Sequence, residues 1–403
     1  MTSSIRRDYD NCMLPVYSPP SPVFVRGRGS RVYDETGREY IDFGGGIAVL
    51  SLGHSSAPVL SAIREQSKKL MHVSNLHAND VGVKLAQKLV EKTFAKRVFL
   101  SNSGAEANEA AIKIARRRGV GIDSKKYGIL SFSGGFHGRI GMSMSATHGV
   151  KVRRGFGPLS GGFRFSEFNN LSEAESKSDE HLCAIIVETV QGEGGVRPAD
   201  KSFIRGLRKL ATHFDALLIF DEVQTGVGRC GELYDYMRLG VTPDILTSAK
   251  GLGSGFPIGA TLCNMKSSVG MSVGSHGSTF GGNALASAVA LSVLERVDTP
   301  AFLSGVKSRG AEMLSCLRAL DSEFGCFEEF RGFGLLLGAK LKGGLKSSEL
   351  SSLSLSEGLV LITASDNTLR FAPALNIPSK DIRAGFARLN KALKRAIVGV
   401  KGH

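Results

Sequence analysis

Several features that would place this chain in a special class of protein are absent from its sequence. Its six cysteines are scattered and form no Cys-x-x-Cys pair, which is the pattern expected of free thiols in a reducing cytosol. No apolar run reaches the roughly 18 residues that a membrane helix needs. The first ten residues, MTSSIRRDYD, contain no apolar core of a secretory signal. We therefore expect a cytoplasmic protein without a membrane partner.

Acidic residues are also in the minority, and the formal net charge is +14. A strongly basic balance can indicate nucleic-acid binding. The basic residues are nevertheless spread along the chain, with residues 116–118 as the longest unbroken run, and zinc-finger spacing and RNA-binding aromatic motifs are missing. A basic surface that serves an anionic substrate or cofactor is the interpretation we favour, and we predict no nucleic-acid partner.

Apolar segments typical of buried strands alternate with helical patterns through the middle of the chain. RVFL, YGILSF, CAIIVE and ALLIF are apolar without strict alternation, which favours a parallel sheet covered on both faces. We predict an α/β fold: a large domain over residues 51–300 with a mainly parallel sheet, and a smaller α+β domain over 301–403. An N-terminal segment, residues 1–50, is expected to pack with the small domain. Within the small domain, residues 333–341 and 359–362 are predicted strands.

Two Gly-containing segments have the composition of phosphate-binding loops. SNSGAE, at 101–106, joins a predicted strand to a helix; its polar residues are good N-caps, and Gly104 allows an anion to approach the backbone. HGSTFGGN, at 276–283, places hydroxyls among glycines before another helix. A plain capped helix is the alternative for the first segment, and the second is a weak signal alone.

The segment FSGGFHGR, at 132–139, clusters an aromatic, a histidine and an arginine around glycines. Phe136 offers a flat face that can stack on a ring. Arg139 offers a guanidinium that can bind a carboxylate through two hydrogen bonds. An ordinary surface loop is the alternative.

A carboxylate and a lysine follow two further predicted strands. Asp221 comes after five apolar residues, where a buried carboxylate is costly unless a cation such as a protonated pyridine nitrogen pairs with it. An N-cap or a metal ligand is the alternative. Lys250, in TSAKGLGSG, precedes its glycines, unlike the lysine of a Walker A loop. Burial can lower its pKa enough for Schiff-base formation; a solvated loop lysine is the alternative.

The order of these segments is more informative than any one of them. Two phosphate-type loops, an aromatic, a strand-end aspartate and a lysine are the parts that a pyridoxal-phosphate site needs. The ring nitrogen needs a carboxylate, the aldehyde needs a lysine, and the phosphate needs N–H and hydroxyl donors. We predict pyridoxal 5'-phosphate as the cofactor and no metal ion.

With these residues in place, the chain resembles the class III, ornithine-type aminotransferases of the fold-type I pyridoxal-phosphate enzymes. It is most similar to the acetylornithine/succinylornithine subfamily, from about residue 16 to 378. The motifs that carry the resemblance are RVYDETGREYIDFGGGIAV, SLGH, SNSGAEANEAAIK, FHGR, QGEGG, DEVQTGVGR, VTPDILTSAKGLGSGFPIGA, HGSTFGGN, RGFGLLLGA and LRFAPAL.

The resemblance implies a set of cofactor-binding residues. Lys250 would hold the cofactor as a Schiff base and move a proton during catalysis, and Asp221 would pair with the pyridine nitrogen. Phe136 would stack on the ring, and Thr279 would reach the phosphate of the second subunit of a homodimer with shared active sites. The whole set is Gly104, Ala105, Phe136, Asp221, Glu222, Val223, Gln224, Lys250 and Thr279.

The resemblance also implies how the substrates are bound. Arg139 would hold the substrate α-carboxylate, with Ser278 beside the substrate and Tyr17 lining the pocket. Glu193 and Arg370 resemble the family's switchable pair, in which the arginine is masked for the amino donor and free for a carboxylate of 2-oxoglutarate.

The activity implied is transfer of the δ-amino group of N2-acetyl-L-ornithine to 2-oxoglutarate, in arginine biosynthesis. The products would be N-acetyl-L-glutamate 5-semialdehyde and L-glutamate. N2-succinylornithine, in arginine catabolism, and N-succinyldiaminopimelate are alternative donors. An aminomutase or decarboxylase on the same scaffold is disfavoured, because a switchable pair is useful when two different substrates alternate.

Overall fold

The computed structural model describes residues 4–17 and 22–401, with side chains up to residue 397. Residues 1–3 and 18–21 of the predicted N-terminal segment, and 402–403 of the predicted small domain, lie outside this range. The strands are β1 (Phe24–Arg28), β2 (Arg31–Asp34), β3 (Glu39–Asp42), β4 (Arg97–Ser101), β5 (Gly128–Phe132), β6 (Phe163–Ser166), β7 (Leu182–Glu188), β8 (Val190–Gln191), β9 (Arg197–Pro198), β10 (Leu217–Asp221), β11 (Ile245–Ser248), β12 (Gly259–Cys263), β13 (Phe327–Phe333), β14 (Leu336–Leu341), β15 (Leu359–Val360), β16 (Ile362–Ala364) and β17 (Thr368–Phe371).

Helices separate most of these strands, and a short 3-10 helix covers Lys250–Leu252. The α-helices are α1 (Ser4–Cys12), α2 (Gly45–Ala48), α3 (Ala57–Ser67), α4 (Asp80–Lys92), α5 (Gly104–Val120), α6 (Gly141–Ala146), α7 (Val150–Arg153), α8 (Leu171–Ser176), α9 (Lys201–His213), α10 (Tyr236–Leu239), α11 (Met265–Ser268), α12 (Ala284–Val297), α13 (Pro300–Phe324), α14 (Ser347–Ser356) and α15 (Ser379–Lys401). Within the described part of the chain, no helix is long and apolar enough to cross a membrane.

A seven-stranded sheet forms the centre of the molecule, in the order β4-β12-β11-β10-β7-β5-β6. Neighbouring strands from β11 to β6 are parallel, whereas β12 runs antiparallel to both β4 and β11. The predicted α/β fold with a mainly parallel sheet is confirmed. The sequence patterns did not predict β12, which returns between β4 and β11 after the lysine-containing turn.

Both faces of this sheet are covered, as the unbroken apolar strands require. Along β10, Leu217 and Ile219 belong to a cluster with the apolar face of α5. Leu218 and Phe220 point the other way, into the main core that also contains Phe203 of α9. Each such side chain contributes about 1.5–3 kcal/mol on burial. A strand sandwiched in this way needs apolar residues at consecutive positions.

Two four-stranded sheets lie outside the central sheet, with the orders β1-β2-β3-β15 and β13-β14-β17-β16. The predicted strand at 333–341 is instead a hairpin, because β13 ends and β14 begins on either side of Gly334, whose φ is +55°. The predicted strand at 359–362 is also divided: β15 pairs in parallel with β3, and β16 pairs with β17. Pairing thus links the N-terminal strands to a late part of the chain. The proposed domain boundaries stay predictions.

Candidate active site

A cavity of about 440 Å³ opens at the carboxyl ends of β7, β10 and β11. This is the edge where ligands bind in parallel α/β sheets. The cavity brings together residues that are far apart in the sequence. Those predicted residues that line it are Gly104, Ala105, Phe136, Arg139, Glu193, Asp221, Val223, Gln224 and Lys250.

Lys250 lies two residues after the end of β11, at the start of the 3-10 turn. Its φ of +43° lies in the left-handed region, which is strained for a residue with a side chain. Burial lowers the pKa of its amine and Arg370 acts in the same direction, whereas the charge of Glu193 opposes them. A lowered pKa increases the share of neutral amine, the form that attacks carbonyl carbon.

Asp221 ends β10 and is only 3% exposed. Its Oδ2 accepts a hydrogen bond from Asn108 Nδ2 at 2.8 Å and lies 2.7 Å from His137 Nδ1. The backbone N–H of Val223 donates to Oδ1 at 3.1 Å. Burial alone would raise the pKa of Asp221, but the hydrogen bond and charge of His137 outweigh it, so the pKa is lowered. The carboxylate is therefore held ionised beside the cavity.

The start of α5 forms another wall of the cavity. Ser103 caps the helix by accepting from the N–H of Glu106 at 3.2 Å, and the Glu106 side chain reaches back to the N–H of Asn102 at 2.5 Å. This capping leaves the N–H groups of Gly104 and Ala105 beside the cavity, at the positive end of the helix dipole. The arrangement is suited to a phosphate.

Only glycine fits at the first position of α5 without displacing a neighbour. A Cβ on Gly104 would lie 2.6 Å from Cγ1 of Val223, which itself lines the cavity. The close contact brings the strand-end residues after Asp221 against the helix N-terminus. The N-terminus of α5, which suits a phosphate, and the strand end that carries Asp221 are therefore held in a fixed relation.

Glu193 and Arg370 form an ion pair at one side of the cavity. Arg370 Nη1 lies 2.5 Å from Glu193 Oε1 and donates to Gln224 Oε1 at 3.1 Å. The Arg370 side chain is 3% exposed and that of Glu193 37% exposed. Burial would raise the pKa of Glu193, but Arg370 and Lys250 together lower it. The pair predicted as a switch is thus formed, with Glu193 on the cavity side.

Several predicted residues lie elsewhere. Glu222 does not line the cavity, because its carboxylate turns away and accepts the N–H groups of Asp235 and Tyr236. Ser278 does not line the cavity either, and its Oγ accepts a hydrogen bond from Asn102 Nδ2 at 3.2 Å. Thr279 and Tyr17 are exposed and outside the cavity lining of this chain.

Sequence reasoning did not assign a role to three of the buried side chains at the site. Asn108 bridges Asp221 and the carbonyl of His137, and Thr247 donates to Asn108 Oδ1 at 2.8 Å. Glu188 ends β7 and lines the cavity. The signal for Glu188 was available, since it follows an apolar strand as Asp221 does. Asn108 lies one helical turn after Gly104, on the same face of α5.

The family model described as aminotransferase class-III matches residues 15–393. The chain belongs to the class-III aminotransferases. It is 47% identical over 400 residues, 98% of each chain, to the succinylornithine transaminase of Citrobacter koseri, and 46% identical over the same shares to that of Salmonella newport.

The solved structures that resemble this chain are also aminotransferases. The N-acetylornithine aminotransferase of Stenotrophomonas maltophilia is 37% identical, covers 94% of this chain and 98% of its own, and superposes with a TM-score of 0.84. The ornithine aminotransferase of Toxoplasma gondii is 29% identical, with a TM-score of 0.93 over 98% of this chain and 95% of its own. This aminotransferase is therefore of the acetylornithine/succinylornithine type, as predicted.

Class-III aminotransferases use pyridoxal phosphate, and the residues of this aminotransferase fit that cofactor. The fit rests on the buried, ionised carboxylate of Asp221, which two neutral or cationic donors hold toward one wall of the cavity. It also rests on the N–H groups of Gly104 and Ala105 and on Lys250, which line the same cavity. When bound, the cofactor supplies an aldehyde that condenses with amines and a ring that withdraws electrons.

Proposed function

We propose that this aminotransferase moves the δ-amino group of an N2-acylated ornithine to 2-oxoglutarate. The products are the N-acylated glutamate 5-semialdehyde and glutamate. N2-Acetyl-L-ornithine is the donor that we propose, and arginine biosynthesis in the cytoplasm is the corresponding role. The reaction alternates between two substrates in one cavity, so the site must accept a donor and then a dicarboxylate.

The ion pair between Glu193 and Arg370 is the observation that carries this proposal. While paired, Arg370 offers no free charge to the donor, whose δ-amino end must approach Lys250. When Glu193 turns away, the freed guanidinium binds the distal carboxylate of 2-oxoglutarate through two hydrogen bonds. A neutral side chain at either position would serve only one of the two substrates.

The remaining residues orient the reacting groups. We propose that Lys250 in its neutral form takes and returns a proton at the reacting carbon, which its lowered pKa favours. Asp221 holds negative charge against the cofactor's ring nitrogen, and His137 and Asn108 keep that carboxylate ionised and in place. Arg139, at the cavity mouth, binds the α-carboxylate of each substrate.

N2-Succinyl-L-ornithine is the second candidate donor. The relatives that are 46–47% identical over nearly the whole chain are named succinylornithine transaminases. The succinyl group carries a carboxylate that the acetyl group lacks, and the exposed guanidinium of Arg139 at the mouth is compatible with either donor. The names of these relatives favour the succinyl compound, whereas the sequence motifs suit both.

We also propose that the enzyme is a homodimer in which Thr279 completes the phosphate site of the other subunit. The support comes from the exposed segment that carries it. Phe280, next to Thr279, is 59% exposed, and Val273 is fully exposed. Apolar side chains exposed in one segment are typical of a subunit interface. The contact between Ser278 and Asn102 places this segment directly behind the start of α5.

The test follows the cofactor band in the visible spectrum. The pyridoxal-phosphate-loaded enzyme is mixed with each acylated ornithine, first alone and then with 2-oxoglutarate, and glutamate formation gives kcat/KM for each donor. A higher kcat/KM with the acetyl compound supports the proposal, and a higher value with the succinyl compound selects the second candidate. If neither donor changes the band or gives glutamate, the proposed function is wrong.

A variant without the reactive amine serves as the control. Lys250→Ala is expected to bind the cofactor without a covalent bond and to form no glutamate. Activity at the wild-type level in this variant would contradict the role of Lys250, whichever donor is preferred.

A further inference from the structure

Glu188 is a cavity-lining carboxylate with no part in the chemistry described above. It is the last residue of β7 and lies in register with Asp221 on the neighbouring strand β10. The residue is 6% exposed. Two carboxylates thus end adjacent strands at the floor of the cavity, although a single cofactor ring nitrogen needs only one of them.

The two oxygens of Glu188 contact two different loops. Oε1 accepts the backbone N–H of Phe136 at 2.9 Å, and Oε2 accepts the backbone N–H of Gly192 at 3.3 Å. The first loop leads within three residues to Arg139. The second leads within one residue to Glu193, the partner of Arg370. One side chain therefore connects the segment that carries Arg139 to the segment that carries Glu193, the residue that pairs with Arg370 of β17.

The two loops are too tightly packed to move freely once Glu188 holds them. A Cβ on Gly192 would lie 2.1 Å from Oε1 of Gln224, so a larger residue here would displace that side chain. Further from the cavity, Gln191 Nε2 donates to the carbonyl of Ser133 at 2.8 Å. This contact does not involve Glu188. We therefore expect the two loops to remain in contact when Glu188 is replaced, while their cavity-lining residues shift.

We propose that Glu188 is a positioning residue that sets the distance between the Arg139 loop and the Glu193 loop. Because Glu193 is the partner of Arg370, that distance also governs the spacing of the two guanidiniums, which selects dicarboxylates of one length. The proposal deepens the proposed function and rests on it for the identity of the dicarboxylate. It does not depend on which acylated ornithine is the donor.

The first test uses glutarate, which has the two carboxylates of 2-oxoglutarate but no carbonyl group to react. Calorimetric titration of the cofactor-loaded enzyme gives its Kd. Glu188→Gln keeps the side-chain length but has one acceptor oxygen, so one of the two N–H groups loses its acceptor. Such a hydrogen bond corresponds to roughly tenfold in affinity. We expect Kd for glutarate and KM for 2-oxoglutarate to rise about tenfold, with kcat changed by less.

Chain length gives a readout that a general loss of stability would not produce. The proposal predicts that the ratio of the Kd values for succinate and glutarate moves toward one in Glu188→Gln, because the spacing of the loops is no longer fixed. Glu188→Asp, which keeps the carboxyl group but is one methylene shorter, is expected to behave like Glu188→Gln. Wild-type behaviour of either variant would overturn the proposal.

Asp244→Asn is the matched control. Asp244 is also a buried carboxylate, and it accepts the backbone N–H of Leu218 at 2.9 Å, but it precedes β11 at the opposite end of the sheet from the cavity. Its variant is expected to lower the thermal midpoint while leaving the succinate-to-glutarate ratio unchanged. A change of that ratio in Asp244→Asn equal to the change in Glu188→Gln would make the effect one of stability and overturn the proposal.

Hydrogen exchange on the wild-type enzyme provides a test that needs no variant to fold. Peptides covering 133–139 and 190–195 are expected to gain protection together as glutarate is added. Protection of only one of them would overturn the proposal. If glutarate binds with the expected length preference but neither donor is turned over, the proposed function fails while the role of Glu188 stands.

Discussion

Replacing Glu193 with glutamine is expected to favour one substrate at the expense of the other. In the paired state Arg370 Nη1 lies 2.5 Å from Glu193 Oε1, and the arginine is almost fully buried. If the proposed function is right, a 2-oxoglutarate carboxylate binds Arg370 only after this pair is broken. Part of the binding free energy of 2-oxoglutarate is therefore used to break the ion pair. Glu193→Gln removes this cost.

The magnitude follows from the exposure of the two partners. An exposed ion pair contributes up to about 1 kcal/mol, whereas removing one partner of a buried pair changes stability by about 3–5 kcal/mol. Arg370 is buried but 37% of the Glu193 side chain is exposed, so solvent screens the pair considerably. We take about 1–2 kcal/mol, which corresponds to roughly tenfold.

The assay is steady-state glutamate formation with both substrates varied. We expect KM for 2-oxoglutarate to fall about tenfold in Glu193→Gln, and KM for the donor to rise, because the unpaired guanidinium repels the protonated δ-amine. Glu232→Gln, which breaks the ion pair with Lys307 outside the cavity, is the control and should change neither KM. An unchanged or higher KM for 2-oxoglutarate in Glu193→Gln would refute the reasoning.

Three further changes test other parts of the site. Asp221→Asn removes the carboxylate that we propose pairs with the ring nitrogen, and kcat should fall by about 10²–10³-fold; a single-turnover rate within tenfold of wild type would contradict this. Gly104→Ala places a Cβ 2.6 Å from Val223 Cγ1, so a fluorescence titration should show weaker cofactor binding, and equal affinity would count against the close fit. Burial and the charge of Asp235 raise the pKa of Glu222 to about 8, from 4.5 in the unfolded chain. Between these two pH values the folded state holds a proton on Glu222 that the unfolded state has released. The resulting contribution to folding stability is complete below pH 4.5 and is lost as pH rises through about 8. Thermal midpoints at pH 5 and pH 8 should differ less in Glu222→Gln than in wild type, and an equal difference would argue against an elevated pKa.

Local patterns were sufficient to predict most strands of the central sheet and to single out Asp221 and Lys250, which line one cavity. Buried parallel strands need apolar residues at consecutive positions, so β7 and β10 were visible in the sequence. Asp221 and Lys250 could be identified because each follows such a strand. Parallel strands place their carboxyl ends at one edge, which brought both residues to one cavity without any knowledge of packing.

Features that depend on distant contacts were not predictable in this way. The antiparallel β12 is specified by its fit between β4 and β11, and the division of residues 359–362 between two sheets is specified by β3 and β17. The partnership of Glu193 and Arg370 came only from family resemblance. Nothing in the sequence around Asn108 distinguishes it from other polar residues of a helix. Its bridge to Asp221 depends on how α5 packs against the sheet.

The pairing of β3 with β15 affects how this enzyme is made by a ribosome. Strands β1 to β3 leave the exit tunnel early, yet the strand that completes their sheet is synthesised only after most of the chain. Until then β3 presents an open edge, and such edges invite association between nascent chains. The contacts of Ser30 and Arg31 with Asp381 of α15 are delayed even longer. Slower synthesis or a chaperone that covers this edge is therefore expected to raise the yield of folded enzyme.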